Sequence, residues 1–107
     1  MGKGPEQKVV DNIVKTINKL PMCRIEKNHG TPYGFQKLDL TGAINGYMIQ
    51  IEVKAPGNKP TPKQFGTIKK WQSVGVTAGW TDNTEDALEL IKPLLNEEQL
   101  KIWRDKR

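Results

Sequence analysis

Asp39, Glu52 and Lys54 are the residues whose types and spacing could do hydrolytic chemistry, and all three fall in the stretch 35–54, FQKLDLTGAINGYMIQIEVK. That stretch reads as a β-hairpin. Asn45-Gly46 tolerates the positive φ that a two-residue type I′ turn needs at both central positions. Ile44 is therefore expected to face Tyr47, Leu40 to face Ile51 and Asp39 to face Glu52. Counted outward from the turn, the 39/52 pair falls on a non-hydrogen-bonded site, where Cα atoms approach to about 4.5 Å. Side-chain alternation puts Asp39, Glu52 and Lys54 on one face. Two carboxylates about 5 Å apart repel by roughly 3 kcal/mol at an effective dielectric of about 20, and like charges directly opposite destabilise a sheet. A divalent cation would compensate them.

Asp39 and Glu52 would hold a hard ion through oxygen, Mg²⁺ above all, with several waters retained and the carbonyl of Val53 as a further oxygen. Lys54 would orient or help deprotonate an attacking water and balance charge on a phosphorane-like transition state. A bare Glu-x-Lys triplet occurs by chance in many basic proteins, and the paired Asp39 is what gives this one meaning. The geometry requires an unbroken register, since a bulge at Thr41-Gly42 would turn Asp39 to the other face.

The elements that must position these side chains can be read in order. A helix is expected over 5–20, started by Pro5 and stopped before Pro21, with Val9, Val10, Ile13, Val14, Ile17 and Leu20 as its apolar stripe. At 100° per residue Glu6 lies on the core-facing side, so it is expected to point inward; the alternative is an acid that merely complements the helix dipole. A short strand is expected over 22–27. The loop 28–34 holds the lone histidine, His29, either a phosphate contact or a plain loop residue. With no second histidine, a His-based metal site or a Ser-His-Asp triad is excluded.

After the hairpin, Thr61-Pro62-Lys63-Gln64 opens a second helix with an N-cap, a proline at the first helical position and a glutamine placed for a capping box. Phe65, Ile68, Trp71 and Val74 form its packing side, and Gly75 can stop it. Gln64 projects close to Ile68 and Trp71, so it either closes the box to Thr61 or serves the acidic site. A strand over 76–80 is apolar on both sides, which predicts an internal position in the sheet. Residues 82–85 cap a third helix running to about Ile91, and 96–99 look like another capping box, opening a terminal helix over about 96–105 anchored by Leu100 and Trp103. The expected order is αβββαβα: one α/β (α+β mixed-sheet) domain over 1–107, with its core at about 6–91.

A chain of 107 residues suits one domain. No apolar run approaches a membrane span and no signal peptide is evident, so a cytoplasmic protein is expected. The single cysteine, Cys23, has no disulfide partner and no metal-ligand spacing, which predicts a packing role. The formal net charge is +5, and between Val53 and Thr81 five lysines, Lys54, Lys59, Lys63, Lys69 and Lys70, meet no acidic residue. A one-signed stretch of that kind points to a polyanionic partner or to a solvated face kept for solubility.

In four elements taken in order, the chain resembles the VRR-NUC domain, a branch of the PD-(D/E)XK nuclease superfamily: the helix-one acid Glu6, the segment Gly34 to Asp39, Ile51-Glu52-Val53-Lys54-Ala55, and Thr61-Pro62-Lys63-Gln64. The resemblance covers roughly residues 6–91. It implies metal ligands at Asp39 and Glu52, a catalytic lysine at Lys54, a motif glutamine at Gln64 and an accessory acid at Glu6, which would join the metal shell. Stand-alone members look like viral or phage enzymes and are similar to Holliday junction resolvases, which would place this chain in a host-cell cytoplasm. The implied activity is a Mg²⁺-dependent endonuclease of DNA replication, recombination or repair, with Mn²⁺ able to substitute, acting on branched DNA as a homodimer. Lys59, Lys63, Lys69 and Lys70 would bind phosphates, with His29 beside them. A nucleic-acid-binding module without catalysis, and a nuclease subunit active only with a partner, are the competing readings.

Overall fold

The computed structural model describes residues 4–28 and 38–105. His29, the start of the expected hairpin strand at 35–37 and the basic end at 106–107 lie outside the described residues. The elements are α1 (Pro5–Ile17), β1 (Cys23–Lys27), β2 (Leu40–Ile44), β3 (Tyr47–Val53), α2 (Pro62–Ser73), β4 (Thr77–Thr81), α3 (Thr84–Ile91), a 3₁₀ turn (Lys92–Leu94) and α4 (Glu97–Asp105). The four strands form one mixed sheet in the order β1-β2-β3-β4, antiparallel except for the parallel pair β3 and β4. Among the described residues no helix is long and apolar enough to cross a membrane.

The hairpin forms in the expected register, with Leu40 opposite Ile51 and Ile44 opposite Tyr47, and no bulge interrupts Thr41-Gly42. Asn45 and Gly46 take φ of 51° and 86°, the backbone a type I′ turn demands. β3 is buried on both faces from Ile49 to Val53. On one side Ile49, Ile51 and Val53 join Val10, Ile13 and Ile17 of α1, Ala87, Leu88 and Ile91 of α3 and Trp103 of α4 in the main core. On the other side α2 covers the sheet through a smaller cluster of Leu38, Ile68 and Ala78, flanked by Trp71 and Trp80. Three layers result, and Glu52 of β3 lies between the sheet and α2.

Two sequence expectations about placement are corrected. β4 is the edge strand among the described residues, not an internal one. Its two apolar faces have another cause: Trp80 meets Phe65 of α2 edge to face with centroids 6.4 Å apart, while Gly79 lies against Leu90 of α3. Helices on both faces make a strand doubly apolar wherever it sits laterally. The second correction is α1, which ends at Ile17 rather than Leu20, and whose buried stripe starts only at Val10. Its first turn overhangs the core, so Glu6 is exposed instead of pointing inward.

The opposite edge is protected by one side chain. Ile25 sits on a non-hydrogen-bonded pair with Gly42, so its amide and carbonyl face away from the sheet, and Asn18 takes both: Ile25 N–H donates to Asn18 Oδ1 (2.7 Å) and Asn18 Nδ2 donates to Ile25 O (2.9 Å). Asn18 thus stands in for a neighbouring strand. Asn18→Ala is expected to cost about 2 kcal/mol for the two lost bonds, seen as a lower urea midpoint; an unchanged midpoint would show that water replaces the amide without penalty. Cys23 is buried and free, with its thiol pushed up by desolvation, as a packing cysteine should be.

Candidate active site

Where β2 begins, the hairpin ladder stops one pair short of the acids. Leu40 still pairs with Ile51, but Asp39 occupies a bend, and its carboxylate takes the place of a backbone acceptor: Val53 N–H donates to Asp39 Oδ2 (2.9 Å). Asp39 and Glu52 nonetheless meet on the α2 side of the sheet, where their carboxyl groups share a hydrogen bond. Glu52 is only 5% exposed. Desolvation first, and then the charge and hydrogen bond of Asp39, push its carboxyl up to about 7, with Lys54 opposing the shift and Glu6 adding slightly to it. Glu6 is therefore felt at the site electrostatically although it is exposed.

The connection from β3 to α2 is pinned by Asp82, whose Oδ2 accepts the Gly57 N–H (3.0 Å); that bond, helped by the Asn83 side chain, holds the Asp82 carboxyl below its ordinary range. α2 then starts with Thr61 as N-cap and Pro62 at its first position. Gln64 does both jobs that the sequence left as alternatives, because a carboxamide has two ends. Its Oε1 accepts the Thr61 N–H (2.9 Å) and closes the capping box, while its Nε2 donates to Glu52 Oε2 (3.0 Å). Lys54 Nζ lies 3.5 Å from the same Gln64 Oε1. Asp39, Glu52, Lys54 and Gln64 form one connected group.

The group opens on a cleft of about 360 Å³ lined by Leu38, Asp39, Glu52, Lys63, Gln64 and Thr67. Lys63 is exposed at its rim. Thr67 also borders a second hollow beside Lys70 and Trp71. Lys63, Thr67 and Lys70 lie at i, i+4 and i+7, one stripe of α2, so a line of cation runs along the helix from the acids. Lys69 falls roughly 120° off that stripe, and Lys59 stands exposed in the loop before α2.

The donor set suits a hard cation. Among the described residues, one oxygen of each carboxylate is already taken by a protein donor, Asp39 Oδ2 by Val53 and Glu52 Oε2 by Gln64, which leaves Oδ1 and Oε1 for an ion. A divalent ion would offset the repulsion between the two carboxylates. No cluster of three or more His, Cys, Asp or Glu that could hold a metal forms among the described residues; two carboxylates are what an ion that keeps several waters requires.

Without metal, the pair should make stability fall with pH. Between the ordinary value near 4.5 and about 7, the folded chain holds a proton on Glu52 that the unfolded chain releases. The stabilisation is complete below about 4.5 and is lost as pH rises through about 7. The expected loss is on the order of 2 kcal/mol after screening by water in the cleft. Thermal melts in chelator from pH 4.5 to 8 test it, and a flat profile would show that Glu52 titrates as an ordinary carboxyl.

Reasoning from sequence missed Asn28, Thr41 and Gln50, which bond to one another and to the backbone around Leu38. Gln50 carried a signal, a polar residue two positions before Glu52 in a strand buried on both faces. Comparison with protein-family models, with curated proteins and with solved structures gives no match for this chain.

Proposed function

We propose that this chain is a divalent-metal-dependent DNA endonuclease of the VRR-NUC branch of the PD-(D/E)XK nucleases, selective for branched DNA and working as a homodimer. The observation that carries the reading is the convergence of Asp39 and Glu52 at one cleft rimmed by Lys63, with Val53 N–H on Asp39, Gln64 Nε2 on Glu52 and Lys54 beside the same Gln64. A clash between buried Glu52 and half-buried Asp39, held in place by two hydrogen-bond donors, has little purpose in a purely structural sheet.

Asp39 Oδ1 and Glu52 Oε1 would hold Mg²⁺ or Mn²⁺, with the Val53 carbonyl as a further oxygen. The ion, when bound, supplies Lewis-acid polarisation of a phosphoryl oxygen and a more acidic water. Gln64 keeps Glu52 oriented through its Nε2, and its Oε1 steadies the Lys54 ammonium beside the acids. Lys54 adds positive charge where the pentavalent phosphorus gains negative charge, and it orients the attacking water. Lys63 and Lys70 neutralise phosphates along α2, which makes affinity salt-dependent and indifferent to sequence.

A panel of labelled four-way junction, flap, nicked and linear duplexes with Mg²⁺ or Mn²⁺ tests the proposal. Cleavage of a branched substrate, lost in Lys54→Ala with DNA binding retained, is the expected result. DNA binding without saturable metal binding or cleavage would reduce the chain to a binding module. Saturable metal binding without cleavage would make it a subunit that needs a partner.

A further inference from the structure

We propose that Asn28 and Gln50, linked through Thr41, are positioning residues that pry the hairpin ladder open beside Asp39 and so create the metal-binding edge of the site. The inference rests on the function proposed above and extends it to residues which that reading does not use.

Continued by one more hydrogen-bonded pair, the ladder would set Leu38 opposite Val53, with the Leu38 N–H on the Val53 carbonyl and the Val53 N–H on the Leu38 carbonyl. Neither bond is made. Leu38 N–H donates to Gln50 Oε1 (3.2 Å), and the Leu38 carbonyl accepts from Asn28 Nδ2 (2.5 Å). The Asn28 N–H holds the next carbonyl, that of Asp39 (2.8 Å). Thr41 joins the two amides, accepting from Asn28 Nδ2 and donating to Gln50 Oε1 (3.0 Å). The side chain of Leu38 confirms the departure. Alternation would place it with Leu40 under α1, yet it packs against Ile68 and Ala78 beneath α2.

The consequences fall on the site. Released from Leu38, the Val53 N–H is free to fix Asp39 through Oδ2, and the Val53 carbonyl loses the strand donor that would otherwise cover it. Two hard oxygens for the ion, the aimed Asp39 and a Val53 carbonyl that receives no Leu38 N–H, both trace to the same two amides. Gln50 also carries a cost that a stabilising residue would not. It is fully buried, and its Nε2 has no partner among the described residues. A buried unpaired donor is unfavourable, so the residue is kept for its oxygen.

The test separates positioning from stability. In the wild-type protein, a through-hydrogen-bond coupling from the Leu38 amide nitrogen to the Gln50 side-chain carbonyl is expected; a coupling to the Val53 carbonyl would overturn the proposal. Gln50→Met removes the acceptor and the orphan donor together, and lets Leu38 re-pair with Val53. It should melt at or above the wild-type temperature yet bind Mn²⁺ at least 10-fold more weakly, the lower end of the effect of outer partners on metal sites. Unchanged Mn²⁺ affinity, or a variant that unfolds, would overturn the positioning role. Asn28→Ala should weaken Mn²⁺ binding to a similar degree, whereas Asn18→Ala, which loosens β1 elsewhere, should leave it unchanged. If the wild type shows the Leu38–Gln50 coupling but no Mn²⁺ binding, the nuclease reading itself falls and the clamp is purely structural.

Discussion

Glu52→Gln is expected to make the metal-free protein more stable at pH 8 while abolishing metal-dependent cleavage. The carboxyl of Glu52 is pushed to about 7 by desolvation and by Asp39, so at pH 8 it is ionised against both. A carboxamide removes the repulsion, can donate to Asp39, and still accepts from Gln64 Nε2, the bond that Glu52 Oε2 makes at 3.0 Å. The gain should be on the order of 2 kcal/mol, or about 8 °C in melting temperature for a domain of this size. It should vanish below about pH 4.5, where the wild-type carboxyl is neutral as well. Loss of a charged ligand should cost several kcal/mol of transition-state stabilisation, about 10³-fold in rate. Melts at pH 4.5 and 8 with a cleavage assay decide the matter. A variant less stable than wild type at both pH values would show that Glu52 is held by structure rather than strained by its neighbours.

Gly42→Ala should be the most damaging conservative change in the sheet. A Cβ at Gly42 would stand 1.9 Å from the Arg24 carbonyl oxygen and 2.6 Å from the Ile25 Cα. Both are backbone atoms, so no side chain can turn aside, and β1 would have to move off β2. That movement would also pull Ile25 from Asn18 and disturb the end of β1 that leads into Asn28. Overpacking against backbone is expected to cost about 3 kcal/mol, seen as a drop of more than ~10 °C in melting temperature. Through Asn28, some loss of Mn²⁺ affinity should accompany it. A wild-type melting curve for Gly42→Ala would mean that the two strands can separate freely, and the tight crossing would have no importance.

Much of the fold was legible because its determinants are local. The Asn45-Gly46 turn sets the hairpin register by backbone preference alone, as far as Leu40 opposite Ile51, one residue from each acid. Thr61-Pro62 with Gln64, Asn83 before Thr84, and Asn96 with Gln99 announce three helix starts through caps that close within four residues. The lateral place of β4 was not legible. Apolar residues on both faces report burial, which α2 and α3 supply, and say nothing about a neighbouring strand. Nor could periodicity tell that α1 overhangs the core by a turn and leaves Glu6 exposed.

From the sequence alone came the turn, the alternation, the caps and with them the pairing of two acids beside a lysine, since each depends on contacts between residues close along the chain or locked by one tight turn. The tertiary structure alone decided how the acids are held: that Gln64 serves Thr61 and Glu52 at once, that the ladder parts at Leu38, and that Asn28 and Gln50 take up the backbone it releases. Those choices belong to a packed interior, where a buried amide must find a partner wherever the fold brings one, and sequence spacing does not record which partner that is.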